Sequence, residues 1–121
     1  METPIAFYQQ CIKQILSEYE SLKTPDSEIE LIFDDKRMRY LAIWVGWQQQ
    51  KRIHQCALHI DICEGNILIQ WNDTEELIDE TLIEMGVPKD AIRLAMIPPD
   101  FRVVPEEPAA YQAWHLEKKA A

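Results

Sequence analysis

The sequence is short of several features that mark particular classes of protein. It has only three glycines among 121 residues, and none of them belongs to a glycine-rich loop of the kind that cradles a phosphate. No apolar run approaches the ~20 residues that a helix needs to span a bilayer. The N-terminal residues also lack the basic start and apolar core of a signal peptide. A nucleotide-dependent enzyme and a membrane protein are therefore disfavoured, and we expect a cytoplasmic protein.

Cysteine is also scarce. The chain contains Cys11, Cys56 and Cys63, and an odd number without a CxxC pair argues against both a disulfide framework and a zinc site. We expect all three to be small buried hydrophobic residues. The sequence therefore predicts no metal site and no cofactor.

Basic residues are few compared with acidic ones. The chain has 12 lysines and arginines against 21 aspartates and glutamates, and its formal net charge is −9. Proteins bind DNA by replacing its counterions with lysine and arginine. The negative electrostatic field of this chain repels DNA instead. The basic residues also form no strong run. We therefore expect a protein partner, with nucleic acid contacted only indirectly.

The periodicity of the apolar residues predicts two helices. Residues 4–22 carry apolar side chains at spacings of three and four, which is typical of an amphipathic helix, and Thr3 is a suitable N-cap. Asp73 and Glu76 have the spacing of a capping box. They predict a second helix that ends at Gly86.

The remaining segments predict a sheet. Residues 29–34 are expected to form a first strand, followed by a turn of two or three residues, and residues 39–73 predict three further strands. Residues 92–97 predict a fifth, short strand. The predicted fold is a single α+β domain. In it, an antiparallel meander of about four to five strands is covered on one face by the N-terminal helix and the second helix.

Two-residue turns at Glu64-Gly65 and Gln49-Gln50 would set the register of the three central strands. The predicted pairs are Cys63–Asn66, Ile62–Ile67, Ile60–Ile69, Leu58–Trp71, Val45–His54, Ile43–Cys56 and Leu41–Leu58. Both hairpins then bring one apolar set to the face that the helices cover. This set consists of Leu41, Ile43, Val45, Cys56, Leu58, Ile60, Ile62, Ile67, Ile69 and Trp71.

The opposite face of the predicted sheet is mixed in polarity. It is too apolar for free solvent and too polar for a deep core, so we expect it to be covered by the C-terminal segment or by a second subunit. The residues assigned to it are Tyr40, Ala42, Trp44, Gln48, Gln55, Ala57, His59, Asp61, Leu68 and Gln70.

One pair on this mixed face has the residue types of a catalytic site. His59 and Asp61 are two positions apart on a strand and therefore project to the same side, and the predicted registers add Tyr40 and Gln70 to the same row. The pair could act as a general base with its orienting group, start a metal site, or form a hydrogen-bonded row that stabilises the sheet or a dimer. No nucleophile or third ligand has diagnostic spacing, so we favour the structural role.

An ordered set of short motifs runs through nearly the whole chain, up to about Arg102. They are Asp34, Tyr40, Gly46-Trp47, Arg52, His59, Asp61-Ile62, Glu64-Gly65, Ile67, Ile69-Gln70, Thr74-Glu75, Ile78, Gly86-Val87-Pro88-Lys89-Asp90, Ile92, Pro98-Pro99 and Arg102. This set resembles the XisI family of excision controlling factors for the cyanobacterial fdxN element. The departures are small: Asn66 replaces a usual lysine, and Met96-Ile97 replaces an F-H-like pair.

The resemblance implies one XisI-like domain over residues 1–121, with a tail from about residue 103. It also implies a non-catalytic accessory role in recombinase-dependent DNA excision, exerted through an XisH-like partner with an endonuclease-like fold. We further expect a homo-oligomer. The candidate partner-binding residues are Tyr40, Trp44, Trp47, Arg52, His59, Asp61 and Gln70.

Three other functions remain open at this point. The chain could be an antitoxin-like inhibitor of a nuclease-like XisH, because an acidic protein can cover a basic DNA-binding surface. It could be a small enzyme that uses His59 and Asp61. It could also recognise DNA directly, which would require a local basic patch.

Overall fold

The computed structural model describes residues 4–97 and orders them as helix, four strands, helix and a final strand. Helix α1 spans Pro4–Ser17, and strands β1 to β4 span Ser27–Asp34, Arg39–Gln48, Lys51–Cys63 and Asn66–Asn72. Helix α2 spans Ile78–Glu84, a 3₁₀ turn spans Lys89–Ala91, and β5 spans Ile92–Leu94. The predicted cap at Thr3 and the predicted tail from about residue 103 lie outside the described residues.

The strands form one five-stranded sheet in the order β1-β2-β3-β4-β5. The first four strands make an antiparallel meander, as the turn signals predict. Strand β5 instead runs parallel to β4, with Ile92 opposite Ile67, because α2 carries the chain back to the other end of the sheet before it re-enters. The predicted α+β fold is therefore confirmed, with the correction that the last strand is not part of the meander.

Both helices pack on the same face of the sheet and enclose one core. Helix α1 buries Tyr8, Cys11, Ile12, Ile15 and Leu16 there, and full burial of each large apolar side chain contributes about 1.5–3 kcal/mol. The helix is shorter than predicted. After Ser17 the chain continues in turns closed by i→i−3 bonds, which leave residue 22 outside the helix and exposed.

The two predicted hairpin turns are confirmed. Glu64 and Gly65 both have positive φ, 51° and 80°, the combination that matches the twist of a two-residue hairpin. Gln49 also has positive φ, 56°. The β1–β2 turn differs from the prediction, because four residues, 35–38, lie between Asp34 and Arg39.

A bulge in β3 changes the register of the β2–β3 hairpin, which begins at the Gln49-Gln50 turn. Val45 lies opposite His54 and Ile43 opposite Cys56, as predicted, but Ala42 lies opposite Leu58 and leaves Ala57 as an extra residue. The predicted Leu41–Leu58 pair is therefore wrong. The inserted residue shifts the pairing by one position from Ala42 back to the start of β2 at Arg39, and Leu41 lies opposite His59.

A second bulge lies in β4. The Ile62–Ile67 and Ile60–Ile69 pairs are confirmed, but His59 then lies opposite Trp71 and leaves Gln70 as the extra residue. The predicted Leu58–Trp71 pair is wrong for the same reason as before. Side chains alternate along a strand with a period of two, so one inserted residue exchanges the faces of everything beyond it.

The bulges reverse part of the predicted face assignment. Tyr40, Ala42 and Trp44 lie on the helix-covered face with Leu58, Ile60, Ile62, Ile67 and Ile69. The other members of the predicted apolar set lie on the opposite surface, and these are Leu41, Ile43, Val45, Cys56 and Trp71. We call that opposite surface the outer face. It carries Glu28, Glu30, Ile32, Arg39, Leu41, Ile43, Val45, Trp47, Arg52, His54, Cys56, His59, Asp61, Leu68, Gln70 and Trp71.

The predicted capping box before α2 is also wrong. Leu77 occupies the N-cap position and provides no side-chain cap. The Glu76 carboxylate instead accepts hydrogen bonds from the Tyr19 hydroxyl at 2.7 Å and from the Thr81 hydroxyl at 2.8 Å. Glu76 therefore connects Tyr19, just after the end of α1, to Thr81 in α2 and does not cap its own helix.

Gly46 provides a test of the packing between β1 and β2. A methyl group at this position would overlap the carbonyl oxygen of Asp26, where β1 begins. We expect Gly46→Ala to lower the free energy of unfolding by about 3 kcal/mol or more, because backbone rather than a side chain must move. The matched control is Gly65→Ala, which meets no atom within 4 Å and should cost about 1 kcal/mol for its positive φ. Urea denaturation of both variants measures the difference, and equal losses would contradict the close approach.

The Tyr19–Glu76 bond predicts a pH dependence of stability. Burial, and then the hydrogen bond to Glu76, raise the pKa of Tyr19 from 10.0 to about 12. Between pH 10 and pH 12 the folded chain thus keeps the proton of the Tyr19 hydroxyl, whereas the unfolded chain loses it. The contribution of Tyr19 to stability is therefore complete below pH 10 and is lost towards pH 12. The free energy of unfolding of the wild type should therefore fall more steeply across this range than that of Tyr19→Phe. Parallel curves would show that folding does not raise the pKa of Tyr19.

Candidate functional site

Four polar side chains converge on the outer face near the β3–β4 turn. The Asp61 carboxylate, which is only 5 % exposed, lies 2.7 Å from Nε2 of His59 through Oδ1. Its Oδ2 accepts a hydrogen bond from Nε2 of Gln70 at 3.1 Å and lies 3.6 Å from Nε of Arg39. We call Arg39, His59, Asp61 and Gln70 the Asp61 cluster.

The β4 bulge assembles this cluster. His59 and Asp61 already share a face because they are two positions apart in β3. Gln70 is the extra residue of the bulge, and its amide reaches Asp61 while the next residue, Trp71, lies opposite His59. A buried carboxylate is costly unless donors surround it, so the bulge supplies one of the donors that allow Asp61 to be buried.

The cluster fixes the orientation of the His59 ring. A neutral His59 whose Nε2 donates to Asp61 presents Nδ1 as a hydrogen-bond acceptor. This geometry is compatible with a general base and its orienting carboxylate. It is equally the geometry of a rigid polar surface patch, because both Asp61 oxygens already face donors.

Two of the predicted site residues lie on the helix-covered face of the sheet, away from the cluster. Tyr40 is fully buried on the helix-covered face, and its hydroxyl donates to Oδ1 of Asp35 at 2.8 Å. The predicted row of Tyr40, His59 and Gln70 is therefore wrong, because the β3 bulge places Ile60 opposite Tyr40. Trp44 is half-buried on the same inner face, packed against the core.

Trp47 and Arg52 form a separate pair at the β2–β3 hairpin. They lie opposite each other in the sheet, and the Arg52 guanidinium lies 5.3 Å from the centre of the Trp47 ring, within the range of a cation–π contact. Trp47 is 56 % exposed. At about 3.3 Å per residue, Arg52 and Asp61 lie close to opposite ends of β3, so this pair does not extend the Asp61 cluster.

Two residues of this surface could not be placed there from the sequence pattern. Trp71 is 51 % exposed opposite His59, although its apolar character assigned it to the covered face. Arg39 carries the charge nearest to Asp61 Oδ2. The interrupted apolar pattern at Gln70 was the available signal, since a polar residue inside an apolar strand is compatible with a bulge.

The cysteines do not add a nucleophile to this surface. Cys11 is buried as predicted, whereas Cys56 and Cys63 are only half-buried, which corrects their prediction. Burial raises the pKa of both the Cys56 and the Cys63 thiol. These two thiols therefore remain protonated at neutral pH and react slowly.

Two further properties concern residues 4–97 as a whole. They contain no group of three or more histidine, cysteine, aspartate or glutamate side chains placed to hold a metal ion. They also contain no helix that is long and apolar enough to cross a membrane.

Comparisons with known proteins place the chain in a family. The model of the XisI protein family matches residues 1–106. The chain belongs to the XisI family. The resemblance seen in the motifs is therefore confirmed, and the motif residues His59, Asp61 and Gln70 meet in the Asp61 cluster.

Two solved structures share this fold. One is a XisI-like protein from Anabaena variabilis ATCC 29413, 38 % identical with a TM-score of 0.76, and the match covers 81 % of this chain and 92 % of that chain. The other is the fdxN element excision controlling factor XisI from the same organism, 29 % identical with a TM-score of 0.75, covering 83 % of this chain and 99 % of that chain. No protein with a curated description matches the chain.

The buried position of Asp61 predicts its contribution to stability. In Asp61→Ala, the donors of His59, Gln70 and Arg39 lose their shared acceptor, and we expect the free energy of unfolding to fall by about 2–4 kcal/mol. Asp61→Asn keeps the size of the side chain and one acceptor oxygen, and should recover part of this loss. Denaturant unfolding of both variants is the measurement, and a change below about 0.5 kcal/mol in Asp61→Ala would show that the cluster does not stabilise the fold.

Proposed function

We propose that this XisI-family chain is a non-catalytic accessory protein in the excision of a DNA element, and that it acts by binding an XisH-like protein. The observation that carries the proposal is its similarity, over most of both chains, to a protein named as an excision controlling factor. The proposal assigns the DNA chemistry to other proteins and a regulatory contact to this one.

The charge of the chain supports contact with protein rather than with DNA. A net charge of −9 repels a polyanion over the distance at which association begins. A protein that itself binds DNA needs a basic surface, and an acidic partner complements such a surface. An XisH-like protein with an endonuclease-like fold is a partner of this kind.

The β3–β4 end of the outer face supports a specific contact surface. Trp71 is half exposed beside His59, and the Asp61 cluster holds His59 in one orientation. Tryptophan and arginine dominate binding energy at protein interfaces, and rigid side chains lose little entropy on binding. Trp71, His59 and Arg39 therefore form the surface that we assign to the partner.

The effect on the partner is either recruitment or inhibition. In an inhibitory role, this chain would cover the basic DNA-binding surface of a nuclease-like XisH. The same charge complementarity supports this alternative. Expression of the XisH-like protein alone and together with this chain separates the two roles, because only inhibition predicts toxicity that this chain relieves.

A small enzyme is the second candidate, and the 2.7 Å contact between His59 and Asp61 is the observation that favours it. An orienting carboxylate of this kind accompanies many catalytic histidines. The Asp61 cluster is explained without catalysis, however, because it satisfies the hydrogen bonds of a buried carboxylate. We therefore place this function second.

The experiment that tests the proposal is co-expression of the full chain with an XisH-like protein encoded in the same genome, followed by gel filtration with light scattering and a titration of the purified proteins. We expect a complex, and we expect Trp71→Ala to weaken it about 30-fold, as for an interface hot spot. The control is Leu77→Ala, which removes another exposed apolar side chain, 61 % exposed, on the helical side.

Two results would contradict the proposal. The first is the absence of any complex, and the second is a salt-sensitive shift of DNA by this chain alone. An activity that is abolished by His59→Ala in a folded chain would favour the enzyme instead. If Trp71→Ala and Leu77→Ala bind the XisH-like protein with equal affinity, the complex exists but Trp71 does not lie in its interface.

A further inference from the structure

A second part of the outer face, spanning β1 to β3, is apolar along its centre, with acidic residues on its β1 side and basic residues on its β3 side. Ile43 and Val45 of β2 form the centre. Val45 lies between Glu28 of β1 and His54 of β3 in one row across the strands. We call the rows that contain Ile43 and Val45 the central strip.

The neighbouring rows continue this arrangement. Glu30, Ile43 and Cys56 form the next row, and Arg52 lies two positions from His54 on the same strand. The acidic side chains thus belong to β1 and the basic ones to β3. In a chain with a net charge of −9, the central strip has acidic side chains along β1 and His54 on β3, with the positively charged Arg52 in the adjoining row.

The helices leave the central strip uncovered. Both helices pack on the opposite face of the sheet, and Ile43 and Val45 remain half-buried while Glu28 and His54 are exposed. Sheets with an apolar surface are commonly covered by a second sheet about 10 Å away, with the strands of the two sheets nearly aligned. A second copy of this chain would supply such a sheet.

Symmetry decides how two copies can meet on this surface. Suppose that two central strips face each other about a two-fold axis parallel to β2. Strand β1 of each copy then lies across from β3 of the other, and each row of residues faces the same row of the other copy. Glu28 of one copy then lies across from His54 of the other, with Arg52 nearby, and Val45 packs against Val45. A two-fold axis perpendicular to the strands would instead place the acidic β1 strands against each other, which like charges disfavour.

We propose that the central strip is the interface of a homodimer whose two-fold axis runs along β2. The occupant is a second copy of this chain, because the strip is complementary in charge to itself only in this arrangement. Strand β4, with Trp71 and Gln70, lies beyond the reach of the other copy's β1. The dimer therefore leaves the exposed Trp71 available to a different partner.

Light scattering and sedimentation of the full chain over a wide range of concentrations test the proposal. We expect a species of twice the chain mass of 14.2 kDa. Val45→Lys places two like charges near the axis and should return the chain to a monomer. The matched control, Leu77→Lys, introduces the same charge at an exposed apolar position on the helical side and should leave the dimer intact. Thermal unfolding followed by circular dichroism confirms that both variants are folded.

A charge exchange tests the position of the axis independently. Glu28→Lys removes the acidic partner of His54 and brings a positive charge towards the nearby Arg52, whereas His54→Glu places two acidic side chains opposite one another. Each should weaken dimerisation about tenfold or more, a change of about 1.4 kcal/mol. The double variant Glu28→Lys/His54→Glu restores opposite charges and should recover most of the affinity. Both positions are exposed, so neither change disturbs the core.

Three results would overturn the proposal. A wild-type chain that stays monomeric at the highest concentration has no such dimer, and a dimer that persists in Val45→Lys uses another surface. If Glu28→Lys/His54→Glu dimerises more weakly than either single variant, the two-fold axis does not run along β2. If the wild type is monomeric and Val45→Lys abolishes binding of the XisH-like protein, the strip belongs to that partner. Such a result would overturn the dimer while supporting the proposed function, whereas the Trp71→Ala titration tests the latter separately.

Discussion

The insertion of Ala57 into β3 is the constraint on which the outer surface of this chain depends. Ala57 and Leu58 both point into the core, so the alternation of the strand is reset at this point. The carbonyl of the extra residue is not left unpaired, because the amide of Asp73 donates to it at 2.8 Å. One residue thus exchanges the two faces of β2 and places Tyr40 inside and Leu41 outside.

The second insertion, at Gln70, completes the surface that the first one exposes. It brings an amide to Asp61 and turns Trp71 towards solvent opposite His59. A carboxylate that is buried with several donors costs little free energy and holds its neighbours rigidly. In an acidic member of the XisI family, rigid polar and aromatic groups at the surface of the sheet are well suited to binding another protein. The outer face therefore separates into a polar end at β4 and an apolar strip along β2.

Features encoded by a few adjacent residues could be predicted from the sequence. The Glu64-Gly65 turn follows from the need for positive φ, and His59 and Asp61 share a face because no insertion separates them. The β3 bulge could not be predicted, because β2 is apolar on both faces. Leu41, Ile43 and Val45 are as suitable for a core as Tyr40, Ala42 and Trp44, so both registers satisfy the apolar pattern. The local motif at Asp73 and Glu76 failed for a different reason, since the distant Tyr19 competes for the Glu76 carboxylate.

The pairing of β2 with β3 is the claim on which the assignment of both surfaces depends, and nuclear Overhauser contacts between backbone protons of the two strands test it most directly. The account predicts contacts between Ala42 and Leu58 and between Ile43 and Cys56, with no residue of β2 opposite Ala57. It also predicts contacts from the side chain of His59 to Leu41 and Trp71. An uninterrupted register, in which Leu41 contacts Leu58 and Tyr40 shares a row with His59, would contradict the account and remove both proposed surfaces.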